Sequence, residues 1–117
     1  IKYIEKNSFV NLEKYEKDLY LTNQRIENFD SYAFFGLKNL KGLYISLNLL
    51  TKIKNNSLVG LEKMEKLFLN SNQISNIELD AFRGAEYLNT LDLSHNKLEN
   101  LSGNFFAYLK KLTILNL

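Results

Sequence analysis

The stretch Leu88-Asn89-Thr90-Leu91-Asp92-Leu93-Ser94-His95-Asn96-Lys97-Leu98 places apolar residues at 88, 91, 93 and 98 around an asparagine at 96. Twenty-four residues earlier the same positions hold Met64, Leu67, Leu69, Asn72 and Ile74, and 24 earlier again Leu40, Leu43, Ile45, Asn48 and Leu50. Leu91 and Leu93 leave one face of an extended chain, while Thr90, Asp92 and Ser94 leave the other. Parallel strands stack about 4.7–4.9 Å apart, so each Leu falls on its equivalent one repeat away and the apolar face becomes a column. Where the chain turns off the strand, backbone groups lose their partners and must find others. The sequence therefore predicts that Asn48, Asn72 and Asn96 form a hydrogen-bonding ladder, with Gln24 as an imperfect first rung because its amide is one carbon longer.

Working outward, a second set of columns follows each strand. Phe29, Ile53, Ile77 and Leu101 share one position, and Phe34, Leu58, Phe82 and Phe106 share another five residues on. These predict a largely aromatic spine behind the sheet. From Leu19 to Leu43, Leu67, Leu91 and Leu115 the 24-residue register is unbroken, but Ile1, Ile4, Phe9 and Leu12 match Ile26, Phe29, Phe34 and Leu37 at a step of 25. One residue is inserted between Tyr15 and Leu19, around Lys17 and Asp18, which predicts a bulge or slack approach to the first strand.

The pattern L-x-x-L-x-L-x-x-N-x-L, carried over the whole chain, resembles the leucine-rich repeat family. The resemblance implies an α/β right-handed solenoid with a concave parallel β-sheet and an irregular or 3₁₀ convex side. The 24-residue period is similar to the typical subclass, which includes Toll-like receptor ectodomains, adhesion proteins and secreted immune factors. One departure concerns the position after Ile77, where the subclass often has Pro; Asp30, Lys54, Glu78 and Ser102 stand there and predict a more helical or 3₁₀ convex turn. The expected organisation over 1–117 is a half repeat 1–12, full repeats near 13–36, 37–60, 61–84 and 85–108, and a half repeat 109–117. Neither cap of such an array is recognisable. A solenoid needs capping repeats for solubility, so an excerpt of a larger protein is expected.

Composition narrows the chemistry. Of 117 residues 45% are hydrophobic and 24% charged, and the net charge of +2 comes from interspersed acids and bases. No field of one sign argues for a nucleic-acid partner, so none is expected. No apolar run reaches the ~18–20 residues a membrane span requires, so no direct membrane insertion of this segment is expected. The absence of Cys removes disulfides, thiolate metal sites and a Cys nucleophile from these residues. His95 is the single histidine, at a turn position, and has no second ligand or triad partner. Glu62, Glu65 and Glu86 alternate with Lys63, Lys66 and Lys110 as on a solvated face, and Gly36, Gly42, Gly60, Gly84 and Gly103 are isolated, which is no phosphate loop. No enzyme, no metal and no cofactor are expected. Lys38, Lys41, Lys52, Lys54, Lys110 and Lys111 offer a heparin or phosphate patch, although acids lie among them.

The outward position at the centre of the five strands reads Tyr20, Tyr44, Phe68, Asp92, Asn116. Three consecutive aromatics on the solvent side are either a stabilising stack or a hot spot for a protein ligand. Concave solenoid surfaces are the usual binding surfaces, so a protein ligand is expected there. The sequons Asn55-Asn56-Ser57 and Asn100-Leu101-Ser102 lie off that face and are glycosylation candidates. The expected function is ligand recognition in a secreted or cell-surface receptor, adhesion or innate-immune protein, and oligomerisation remains open. The alternatives are an intracellular scaffold or regulatory-subunit domain, and an enzyme with its catalytic domain elsewhere.

Overall fold

The computed structural model describes residues 2–99 and 104–117, with only the backbone of Phe105. Short strands recur along the chain: β1 Tyr3–Ile4, β2 Leu19–Tyr20, β3 Asn28–Phe29, β4 Gly42–Tyr44, β5 Lys52–Ile53, β6 Lys66–Phe68, β7 Asn76–Ile77, β8 Thr90–Asp92 and β9 Ile114–Asn116. They assemble into a parallel five-stranded sheet ordered β2-β4-β6-β8-β9 and two parallel pairs on the opposite side, β1-β3 and β5-β7. Each chain turn thus contributes one strand to the main sheet before passing to the other side, which makes a parallel-strand solenoid. The register is set by the 24-residue period: Leu43 faces Leu67, Leu67 faces Leu91 and Leu91 faces Leu115.

Behind the three central strands the leucine column is closed to water, while Leu19 is half-buried and Leu115 exposed. Leu43, Ile45, Leu67, Leu69, Leu91 and Leu93 are buried, as are Phe29, Ile53, Phe34, Leu58 and Phe82 on the far side of the same core. Stacked pairs Phe9–Phe34 and Phe82–Phe106 and the edge-on pair Phe29–Phe34 fill the convex half with ring centroids 5.3 to 6.0 Å apart. Leu101 lies outside the described residues.

The turns off β2, β4, β6 and β8 each place a residue in the left-handed region, Asn23, Leu47, Ser71 and His95 at φ of 56° to 59°, and the first turn adds Arg25 at 59°. The next residue in three of the four turns is an asparagine whose amide spans two repeats. Asn48 Oδ1 accepts from the backbone N–H groups of Gln24 and Ile26, both at 2.9 Å, and Nδ2 donates to Leu21 O and Ile45 O. Asn72 accepts from Leu50 N–H at 3.1 Å and donates to Ile45 O and Leu69 O. Asn96 accepts from Ile74 N–H at 2.9 Å and donates to Leu69 O and Leu93 O. The Gln24 side chain is exposed, and its Nε2 donates within its own turn to Thr22 O.

The convex side is built mainly from turns, and among the described residues the one 3₁₀ helix is Asn104–Tyr108. The expected shift toward helix where Pro is missing is therefore confined to that repeat. Elsewhere the carboxylates at the Pro position act as clasps between turns: Asp30 Oδ2 accepts Lys6 N–H at 3.2 Å and Glu78 Oε1 accepts Asn55 N–H at 2.7 Å. A Pro side chain has no acceptor with which to do this. The slack before the first strand is also visible. β2 is one residue shorter than β4, and Asp18 is not paired with Gly42.

Candidate ligand-binding face

The outward side chains of the main sheet are aligned by its register, with Tyr20 opposite Tyr44, Tyr44 opposite Phe68, Phe68 opposite Asp92 and Asp92 opposite Asn116. Strand spacing then forces neighbouring rings to within stacking distance. Tyr20 and Tyr44 stack at 4.6 Å and 17°, and Tyr44 and Phe68 at 4.8 Å and 6°. The row runs from 66% exposed at Tyr20 to half-buried at Tyr44, Phe68 and Asp92, and Asn116 is exposed. Ring faces inside the row are covered by one another, so a ligand above the sheet meets ring edges and the Tyr hydroxyls.

At the Tyr20 end a notch holds the row in place. The Tyr20 hydroxyl donates to Asp18 Oδ2 at 3.3 Å, and the Tyr15 hydroxyl donates to Asp18 O at 2.9 Å. Asp18 lies over Gly42, where an added Cβ would come within 2.7 Å of Asp18 Oδ1 and 3.0 Å of Tyr44 Cε2. Gly42 thus differs from Gly36, Gly60 and Gly84, which are at convex turns with φ of 92° to 111°. Desolvation beside the neighbouring ring, followed by the negative charge of Asp18, raises the Tyr20 phenol above its ordinary pKa. The clue to the notch in the sequence was Gly42 alone among Lys66, Thr90 and Ile114 in its column, but nothing there pointed to Asp18 as the occupant.

At the other end Asp92 Oδ1 accepts both the N–H (2.9 Å) and the hydroxyl (2.6 Å) of Ser94. The carboxylate is thereby tied to the Ser94 turn on the concave side. His95 sits at the left-handed turn position beyond it and is exposed. No grouping of three or more potential metal-binding side chains occurs among the described residues.

The six candidate lysines are not all brought together. Lys52 lies in β5 on the convex side, and Lys54 there is 3.5 Å from Asp30. Lys41 lies on the approach to the sheet, 3.8 Å from Glu65, where both side chains are about half exposed and the pair contributes little. That pair itself lines a groove of about 720 Å³ together with Glu62, Lys63, Tyr87, Asn89 and Lys111, so Lys41 and Lys111 of the six share one groove, with the Lys111 ammonium 4.2 Å from the Tyr87 ring centroid. Asn55 lies on the convex side, its Oδ1 accepting from Asp80 N–H at 2.8 Å, while Ser57 of the same sequon is buried. Asn100 is outside the described residues.

A leucine rich repeat family model matches residues 17–74 and 64–117. The chain belongs to the leucine-rich repeat family. No curated protein matches it in sequence. Among solved structures it is similar to the receptor in a crystal structure of the TLR13–ssRNA13 complex, with 32% identity and a TM-score of 0.84 over 86% of this chain and 14% of that one. The leucine-rich repeat array described here thus spans a small part of that receptor's length.

One expectation is overturned by the same finding. Balanced charge was read as arguing against a nucleic-acid partner, yet the similar solenoid is a complex with single-stranded RNA. The physical reason is one of scale. Net charge averages over every face of the solenoid, whereas a ligand meets only the side chains of one, so a net charge of +2 does not decide its class.

Proposed function

We propose that this leucine-rich repeat array is a ligand-recognition segment of an extracellular receptor, adhesion or innate-immune protein, and that it binds a protein through the row Tyr20, Tyr44, Phe68, Asp92 and Asn116. The observation that carries the reading is the aromatic stack itself, held on the concave face of a family whose concave faces are binding surfaces. Large rigid rings lose little entropy when covered and are enriched among the residues that dominate interfaces. A protein suits the stack because it presents apolar side chains to ring edges, whereas base stacking needs open ring faces, which the row offers only at its ends, Tyr20 and Phe68. A second reading, a single-stranded RNA ligand, is favoured by the likeness to the TLR13–ssRNA13 complex. No catalytic role is assigned to the chain. The extracellular setting predicts N-linked glycan at Asn55 in native material, on the side away from the row.

The test runs a displayed peptide library and a single-stranded RNA pool against the full chain, then measures enriched binders on Tyr44→Ser/Phe68→Ser and on Leu79→Ser. Leu79 is an exposed apolar residue on the convex side and serves as the control. Peptide binders should lose about 2 kcal/mol or more, roughly thirtyfold, on the concave variant and nothing on the control. Peptide binders indifferent to the concave change would sink the proposal. RNA binders that alone depend on Tyr44 and Phe68 would establish the second reading in its place.

A further inference from the structure

The aromatic stack stops one position short of a carboxylate. Tyr44 and Phe68 are nearly parallel, 4.8 Å apart, so the second face of Phe68 looks along the sheet toward β8, where its registered partner is Asp92 and no ring continues the row. The ion pairs among the described residues are Lys41–Glu65 and Lys54–Asp30, so Asp92 has no cationic partner there. Ser94 occupies its Oδ1 twice and leaves Oδ2 without a protein donor among the described residues. Asp18 marks the opposite end of the stack, and of the outward residues of the strands only Lys66 is basic. A row of rings closed at both ends by carboxylates is acidic on a chain whose net charge is +2.

We propose that the position over Asp92 is a subsite for a guanidinium group, the arginine side chain of a protein ligand. A planar cation there continues the stack at the pitch of the strands, lying against the free face of Phe68 while its N–H groups reach Asp92 Oδ2. Both attractions act on one group: the ring quadrupole favours a cation over its face, and a carboxylate favours a planar donor fork. Lysine supplies the charge without the plane, and an uncharged urea supplies the plane without the charge. Oδ2 is also spare for the fold, because the Ser94 turn is held by Oδ1 alone. This subsite rests on the concave reading above and specifies the chemistry of the ligand that reading requires.

The experiment titrates the full chain with three capped tripeptides, acetyl-Gly-X-Gly-amide with X as arginine, lysine or citrulline, following Phe68 ring and Asp92 carboxyl resonances by NMR. Arginine should give saturable shifts centred on these two residues, at an affinity about tenfold above citrulline and above lysine. Asp92→Asn, which keeps the acceptor for Ser94, should remove that advantage, and Phe68→Leu should do the same. Equal titration by the three peptides, or an arginine response unchanged in Asp92→Asn, overturns the subsite. So does an oligouridylate that saturates the Phe68 resonances where the arginine peptide leaves them unmoved. The displayed peptides separate the two levels of the argument. Binders that depend on Tyr44 and Phe68 but ignore Asp92→Asn and arginine replacement overturn the guanidinium subsite alone, and binders indifferent to all four changes overturn the concave reading with it.

Discussion

Removing the Asn72 amide should be costly in a way the hydrogen-bond pattern allows to be counted. Asn72 serves Leu50 N–H, Ile45 O and Leu69 O. The two carbonyls are shared, however, since Ile45 O also accepts from Asn48 Nδ2 and Leu69 O from Asn96 Nδ2. In Asn72→Ala only the buried Leu50 N–H loses its side-chain acceptor, and one unsatisfied buried group costs about 1–3 kcal/mol. Asn48→Ala strands two donors, Gln24 N–H and Ile26 N–H, and should cost more. Asn70→Ala, half-buried on the outer side of the turn, should stay near the ~0.5 kcal/mol of an ordinary surface change. The assay is thermal or denaturant unfolding of the full chain, where each kcal/mol moves the midpoint by roughly 4–8 °C for a domain near this size. Amide exchange gives the site-specific check, because Leu50 N–H should lose protection in Asn72→Ala out of proportion to its neighbours. If Asn72→Ala and Asn70→Ala melt alike, or if Asn48→Ala is the milder of the two ladder changes, the accounting by shared carbonyls is wrong.

Two further outcomes follow from side-chain geometry. Gly42→Ala should displace Asp18 at a cost of about 0.5 kcal/mol, because the half-buried carboxylate it meets is the end of a side chain that can swing away, and the Tyr20 phenol should then titrate at lower pH by spectrophotometry as Asp18 withdraws. At Asp30, the hydrogen bond from the Tyr3 hydroxyl, aided by Lys6 N–H and the Lys54 ammonium and opposed by burial, holds the carboxyl below its ordinary value of 3.8. A depressed folded-state pKa stabilises the fold above the unfolded value, and that contribution is lost as pH falls through the folded one. The stability gap between the wild-type chain and Asp30→Asn should therefore be constant at neutral pH and begin to close only below the ordinary carboxylate range; a gap unchanged down to strongly acidic pH would remove Asp30 from the clasp.

The strands, their register and the buried columns were readable from residues because a fixed period turns sequence position into spatial position. Leu67 meets Leu43 and Leu91 for the same reason that Phe68 meets Tyr44. What the period does not encode is contact between unlike residues. Asp18 over Gly42 crosses the point where the register slips, and the Tyr3–Asp30–Lys54 group joins three different residue types across three turns. The convex geometry was misjudged in part because a missing Pro was treated as a gain in helix, when carboxylates at that position bond backbone N–H groups instead. Left-handed Leu47 was equally invisible, since nothing in a leucine's identity announces a φ of 56°. The nucleic-acid expectation failed for a different reason: composition has no address, and partners are chosen face by face.

The distribution of bonds between repeats explains why the concave face is the one that can specialise. The ladder amides sit behind the sheet and tie backbone to backbone, so β2, β4, β6 and β8 are held whatever their outward residues are. Asp30, Glu78 and Asn55 do the same for the convex turns, which makes several side chains there part of the frame. On the outward side of the sheet, ring stacking is the main side-chain link between repeats, worth about 0.2–1 kcal/mol per pair. A substitution at Tyr44 or Phe68 should therefore remove little from folding. Freedom from backbone-tying duty is a physical condition for a surface that must match a ligand, and in this chain it falls on the rings of Tyr44 and Phe68.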